Sequence, residues 1–219
     1  MPAQRKLEQE VRACLRDSDI EGAATRIIHA WGPGVLGYLR VALADDRSAQ
    51  DAFTRFSSSV WQCLRRAPSD LTFQVWTYRL AYRSAKEAPL GSRPRRTAGT
   101  DRSKPSRLRG LGRTQTATLE PLGVVEDAEL MRHELSLEEQ TLLTLRLDRQ
   151  LSWSEIGQVL GRGARASEPS IRRRFERLIA RLHRSALARG FIAPGAPLPS
   201  MKSLQLVPPP LRGSTPRER

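Results

Sequence analysis

Apolar residues recur along this chain at three- and four-residue spacing, and no stretch sustains the alternation of a strand, so the elements expected are helices. Four fall before residue 90. The first runs from about Ala3 to Arg16 and ends in the capping cluster Asp17-Ser18-Asp19. A second, about Glu21 to Leu43, carries Ile27, Ile28, Trp31, Val35, Leu36, Leu39 and Leu43 on one side. Gly32-Pro33-Gly34 interrupts it and is expected to kink or split it. The third follows Asp45-Asp46 and turns Ala52, Phe53, Phe56, Val60 and Leu64 inward. Pro68-Ser69-Asp70 closes it and opens the fourth, Leu71 to about Ala88, with Phe73, Trp76, Leu80 and Ser84 as its inner face. Trp61 and Trp76 read as core residues in preference to base-stacking ones.

A second helical set starts beyond residue 125, with segments near Glu126 to His133, Ser136 to Leu147, Ser152 to Leu160 and Glu168 to Ala188. Ser136 with Glu139, and Ser152 with Glu155, have the spacing of capping boxes. Ser167 is placed to cap the last helix, where Pro169 sits early enough for its missing N–H to cost nothing. The short helix from Ser152, a Gly-Arg-rich turn and this capped helix have the layout of a helix-turn-helix.

Between the two sets the character changes. From Pro89 to Thr118 eight basic residues face one acid, Asp101, leaving seven net positive charges among Pro, Gly, Ser and Thr with few core-forming residues. Such a segment cannot bury enough apolar surface to offset its ordering entropy. Seven prolines mark the chain after Gly190 in the same way. The fold class expected is all-α: two small helical domains, residues 1–88 and 125–188, joined by a basic flexible linker at 89–124, with a Pro-rich tail at 189–219.

Charge narrows the partners. Lys and Arg number 37 against 23 Asp and Glu, a formal net charge of +14 over 219 residues. A polyanion is the expected partner, because neutralising phosphates releases condensed counterions. No apolar run approaches the roughly 20 residues needed to span a bilayer, and no signal peptide opens the sequence. No membrane association and a cytoplasmic location are therefore expected. Cys14 and Cys63 stand apart, outside any Cys-x-x-Cys pattern, and read as reduced thiols. His29, His133 and His183 are scattered, so no metal site is expected. Gly161-Arg162-Gly163 is too short for a phosphate loop. With no nucleophile beside a base, the chain is expected to hold no cofactor and to be no enzyme.

Two helical faces carry candidate chemistry. On the last helix Ile171, Phe175, Leu178 and Leu182 form the buried stripe. Ser170, Arg172, Arg173 and Arg174 at its N-terminal end could reach base edges and phosphates, since Arg bonds guanine O6 and N7 together, and Arg177 could follow the backbone. A solvated basic face is the plainer alternative. On the fourth helix Arg79, Tyr82, Arg83 and Lys86 share one face, apart from that of Phe73, Trp76 and Leu80. Cations around an aromatic suit a single strand, giving charge to the backbone and a ring to a base. A basic surface with an incidental tyrosine would look the same. The acidic start of the third helix, Asp45 to Asp51, is explained by the helix dipole or by a docking surface.

Together these residues resemble a bacterial RNA polymerase sigma factor of the extracytoplasmic-function type. The likeness spans about 23–87 and 135–185. Ala49-Gln-Asp-Ala-Phe-Thr-Arg-Phe-Ser-Ser-Ser-Val-Trp resembles the family's Ala-Glu-Asp-Leu-Val-Gln-Glu-Val-Phe-x-x-x-Trp. Phe73-Gln-Val-Trp-Thr-Tyr-Arg-Leu-Ala-Tyr-Arg-Ser-Ala resembles Phe-Arg-x-Trp-Leu-Tyr-Arg-Ile-Ala-Arg-Asn-x-Ala. Leu135-Ser-Leu-Glu-Glu-Gln and Leu151-Ser-Trp-Ser-Glu-Ile-Gly-Gln-Val-Leu-Gly are similar to the family's run into its helix-turn-helix. The resemblance implies a subunit that binds core RNA polymerase and directs initiation at promoter DNA. Asp51, Thr54 and Arg55 would face polymerase. The Arg66–Thr72 loop with Arg79, Tyr82, Arg83 and Lys86 would capture the melted −10 strand. Ser170, Arg172, Arg173, Arg174 and Arg177 would read the −35 duplex. The resemblance also leaves room for an anti-sigma partner. Thr54 and Arg55 stand where the family has Gln-Glu, Arg83 replaces its Asn, and five residues, Arg162 to Ala166, fill a turn that usually has one. The rival expectation is a self-sufficient helix-turn-helix regulator that binds operator DNA without polymerase.

Overall fold

The computed structural model describes residues 2–43, 45–89, 131, 134–161, 167–193 and 195–198, and all regular structure within them is helical. Helix α1 spans Pro2–Arg16, α2 Ile20–Ala42 and α3 Asp46–Cys63. A single 3₁₀ turn, Leu64–Arg66, separates α3 from α4, Phe73–Lys86. Beyond these, α5 covers Leu137–Leu143 and runs into a π turn, Thr144–Asp148. Helices α6, Trp153–Val159, and α7, Glu168–Ala188, complete the set. The expected linker after Pro89, most of the expected helix near Glu126 to His133, the turn at 162–166 and the tail from 199 lie outside the described residues.

Helix starts are fixed by side chains that take up otherwise orphaned N–H groups. Asp19 accepts from Gly22 N and Asp45 from Ser48 N, each at 2.8 Å. The Ser48 N–H holds the Asp45 carboxyl below the usual carboxylate range. Both expected capping boxes form: Ser136 with Glu139 opens α5, and Ser152 with Glu155 opens α6. Ser167 occupies the N-cap position of α7 but makes no side-chain cap bond, because its hydroxyl lies 3.0 Å from the Ser170 hydroxyl instead.

Two other expectations change. Gly32-Pro33-Gly34 does not split α2, which continues through Pro33 as one helix of 23 residues. Packing outweighs the lost backbone bond here: Trp31, Gly32 and Val35 are buried on both sides of the proline. The segment expected as one helix to Leu147 leaves α-helical geometry after Leu143, and the chain reverses through Gln150 at a φ of 54°. That reversal puts Leu145 and Leu151 into the core together.

Helix α2 is central. It packs against α1, α3 and α4, and α4 packs also on α3. Helix α4 also meets α5 and α6, and α7 packs on both of these. Buried residues from Val11 to Leu178 therefore form one continuous apolar cluster. Phe175 on α7 and Trp153 on α6 meet edge to face at 5.4 Å, and the Arg146 guanidinium stands over the Trp153 ring at 4.3 Å. Such aromatic contacts add about 1 kcal/mol each beyond their buried area.

Two polar contacts tie the early helices to the late ones inside this core. Tyr38 Oη lies 2.8 Å from Thr141 Oγ1. Thr141 gives its own hydrogen to Leu137 O at 2.6 Å, so Tyr38 is the donor between them. Arg149 Nη2 donates to Gly34 O at 3.2 Å, with its guanidinium 5.6 Å from the centre of the Tyr78 ring. Gly34 is what allows this approach: a Cβ there would fall 2.9 Å from Tyr78 Oη and 3.0 Å from Arg149.

Candidate nucleic-acid interface

The orientation of α4 is set at its N-terminus. Thr72 caps Val75 N, and Glu8, reaching from α1, accepts from Phe73 N at 2.7 Å. Arg12 stands over the Phe73 ring at 5.2 Å. With Phe73, Val75, Trp76 and Tyr78 held in the core, 3.6-residue periodicity turns Arg79, Arg83 and Lys86 outward. Tyr82 is half-buried between them, with Lys86 Nζ 5.7 Å above its ring. Arg83 Nε pairs with Glu87 at 3.0 Å, an exposed ion pair that competition with a phosphate would break readily.

These four side chains are thus brought onto one face, and the face is the rim of a groove of about 640 Å³. Arg66 and Pro68 from the loop before α4 extend the rim. Trp76 and Leu80 line the same groove, although periodicity alone separates them from the cationic stripe. Val159, Leu160 and Gly161 at the end of α6 form its far wall. Trp76 is buried as expected. Trp61 is not: it stands 44% exposed on α3.

The arginines of α7 fall into two groups. Arg173 and Arg177 are exposed, and Ser170 is exposed one turn before them. Arg172 is exposed as well but pairs with Glu176 at 2.9 Å. Arg174 instead points back to α5, where it pairs with Glu138 at 2.5 Å, and Arg181 pairs with Glu139 at 2.8 Å. Burial raises the Glu139 carboxyl, yet Arg181 and the Ser136 bonds together hold it below the usual range. The six arginines of α7 are alike in sequence; position on the helix assigns Arg174 and Arg181 to the α5–α7 seam.

On α3, Asp51 and Thr54 are exposed and Arg55 is half-buried. Thr54 Oγ1 donates to Gln50 O, and Nε and Nη2 of Arg55 are buried with no hydrogen-bond partner. Asp51, Thr54, Ser58 and Trp61 repeat at helical spacing along one exposed stripe. The sequence pattern missed Trp61 because an apolar residue at helical spacing looks the same whether or not a neighbour covers it. Nothing in the sequence pairs Glu8 with Phe73 or Arg149 with Gly34, because those contacts depend on helix crossings.

Among the described residues, no group of three His, Cys, Asp or Glu could hold a metal ion, and no helix is long and apolar enough to cross a membrane. Cys14 and Cys63 are free thiols, both half-buried. No family model matches the chain, and no curated protein or solved structure matches it either.

Proposed function

We propose that this chain is a promoter-specificity subunit of RNA polymerase, acting without chemistry of its own. The observation that carries the reading is the α4 face. A helix anchored at its N-terminus from two directions, by Thr72 and by Glu8, presents Arg79, Tyr82, Arg83 and Lys86 along a groove. Phosphates find cations there and an unstacked base finds a ring, the combination that captures a melted strand.

A second surface supports it. Helix α7 presents Ser170, Arg173 and Arg177 outward from its first turns, while its apolar side is fixed on α6. A helix held that way can enter a major groove N-terminus first, with Arg172, Arg173 and Arg177 addressing guanine edges or phosphates. Arg174 supports the surface from behind through Glu138 and does not itself reach DNA. Helix α3, whose Asp51 and Thr54 are exposed and whose Arg55 is half-buried, takes the polymerase. Such a subunit works in the cytoplasm, and its partners are core polymerase and promoter DNA.

Run-off transcription tests this directly. Purified chain added to core polymerase should form a complex on gel filtration and start transcripts at discrete sites on genomic fragments. No complex and no transcript would overturn the proposal. Specific duplex binding by the chain alone, without polymerase, would favour the self-sufficient regulator.

A further inference from the structure

We propose that the groove between α4 and the end of α6 is a binding site for one nucleotide carrying two or more phosphates, a nucleoside diphosphate being the simplest example. The binding itself does not depend on promoter reading; only its effect on transcription does.

The site is two-sided. Among the described residues that line it, Arg66, Arg79, Arg83 and Lys86 supply four cations against the single carboxylate of Glu87, and Val159, Leu160 and Gly161 line the opposite side. Among the described residues Arg66 and Arg79 pair with no carboxylate. Between α4 and the end of α6 the groove has a volume of about 640 Å³, within the range of sites that hold one small molecule. Chemical class follows from the two kinds of lining. The cations require an anion of more than one charge. The edges of Trp76, Leu80, Pro68 and Leu160 offer apolar surface that bare phosphate would leave unused. A base joined to a short phosphate chain satisfies both.

Because the walls come from helices far apart in sequence, such a ligand binds only while α6 is docked on α4. It therefore holds that docking in place and occupies the cations a melted strand would use. On the promoter reading, the nucleotide acts as a brake on strand capture.

The test is isothermal titration of the full chain at physiological salt with ADP, adenosine and inorganic pyrophosphate in separate runs. ADP should saturate at one per chain, adenosine should not bind, and pyrophosphate should bind at least tenfold more weakly than ADP. The double substitution Arg79→Ala with Arg83→Ala, at exposed positions that leave the helical circular dichroism unchanged, should weaken ADP at least tenfold. ADP should also raise the melting temperature of the original chain and not of that variant. Equal binding of pyrophosphate and ADP would show charge attraction alone and overturn the nucleotide assignment. Absence of saturable ADP binding, or ADP binding indifferent to the double substitution, would overturn the site. Gel filtration with core polymerase separates the two proposals. A chain that binds ADP but not polymerase upholds the site and sinks the promoter reading, and the converse result does the opposite.

Discussion

Tyr38 donates its phenolic hydrogen to Thr141 across 103 residues of sequence, at 2.8 Å and fully inside the core. The direction of that bond makes the two partners unequal. Tyr38→Phe removes the donor and leaves Thr141 Oγ1 still bonded to Leu137 O, so the expected loss is about 1 kcal/mol. Thr141→Val strands the Tyr38 hydroxyl in an apolar site and costs more, about 2 kcal/mol. Urea unfolding of both variants checks the order. A Tyr38→Phe loss larger than the Thr141→Val loss would mean that the donor has been misassigned.

Gly34 and Gly37 sit about one helical turn apart in α2. Gly37 has nothing within 4 Å of the position a Cβ would take, whereas at Gly34 a Cβ would meet Tyr78 Oη at 2.9 Å. Gly37→Ala should stabilise the protein by about 0.5 to 1 kcal/mol through helix propensity. Gly34→Ala gains the same propensity but forces Arg149 and Tyr78 to move, and overpacking of this kind costs about 1 to 3 kcal/mol. Opposite shifts in melting temperature are the expected outcome. Equal stabilisation of both variants would show that Arg149 does not seat on Gly34.

Burial pushes the Tyr78 phenol up to about 12, against the relief given by nearby Arg149, and raises Tyr38 further still. A phenol whose pKa is higher in the folded state stabilises the fold while it stays protonated. That contribution is complete below the unfolded value of about 10 and is lost as pH rises toward 12. For Tyr78 the loss amounts to about 2 kcal/mol. Unfolding free energy should therefore be flat from pH 8 to 9.5 and fall from pH 10 upward. Tyr78→Phe should flatten that fall, followed by circular dichroism across the same range.

Much of this architecture was legible because it is local. Ser136 with Glu139 and Ser152 with Glu155 announced two helix starts, and both boxes form with Oγ accepting from the Glu backbone N–H. Ser167 looked equivalent, but its hydroxyl turns to Ser170, which no local rule distinguishes. Gly32-Pro33-Gly34 read as a break because propensity knows nothing of the neighbours that hold α2 together. The cationic stripe of α4 was legible from 3.6-residue spacing, whereas the α6 wall facing it was not, since Val159 to Gly161 arrive through tertiary packing alone. Periodicity says which residues share a face. It does not say what stands opposite.

On the promoter reading, the division among the α7 arginines has a direct consequence for DNA affinity. Arg173 and Arg177 are exposed, so replacing both by Ala should leave the melting temperature within experimental error. Duplex affinity, measured in the polymerase complex, should fall. If both contact phosphate, the slope of log affinity against log salt should become shallower by about 2. Arg174→Ala should behave differently. Its guanidinium is 29% exposed and paired with Glu138, so the loss appears as stability, on the order of 1 kcal/mol, with the salt slope unchanged. A shallower slope for Arg174→Ala with unchanged stability would return that arginine to the proposed DNA-binding set, leaving Arg181 with Glu139 as the ion pair of the α5–α7 seam.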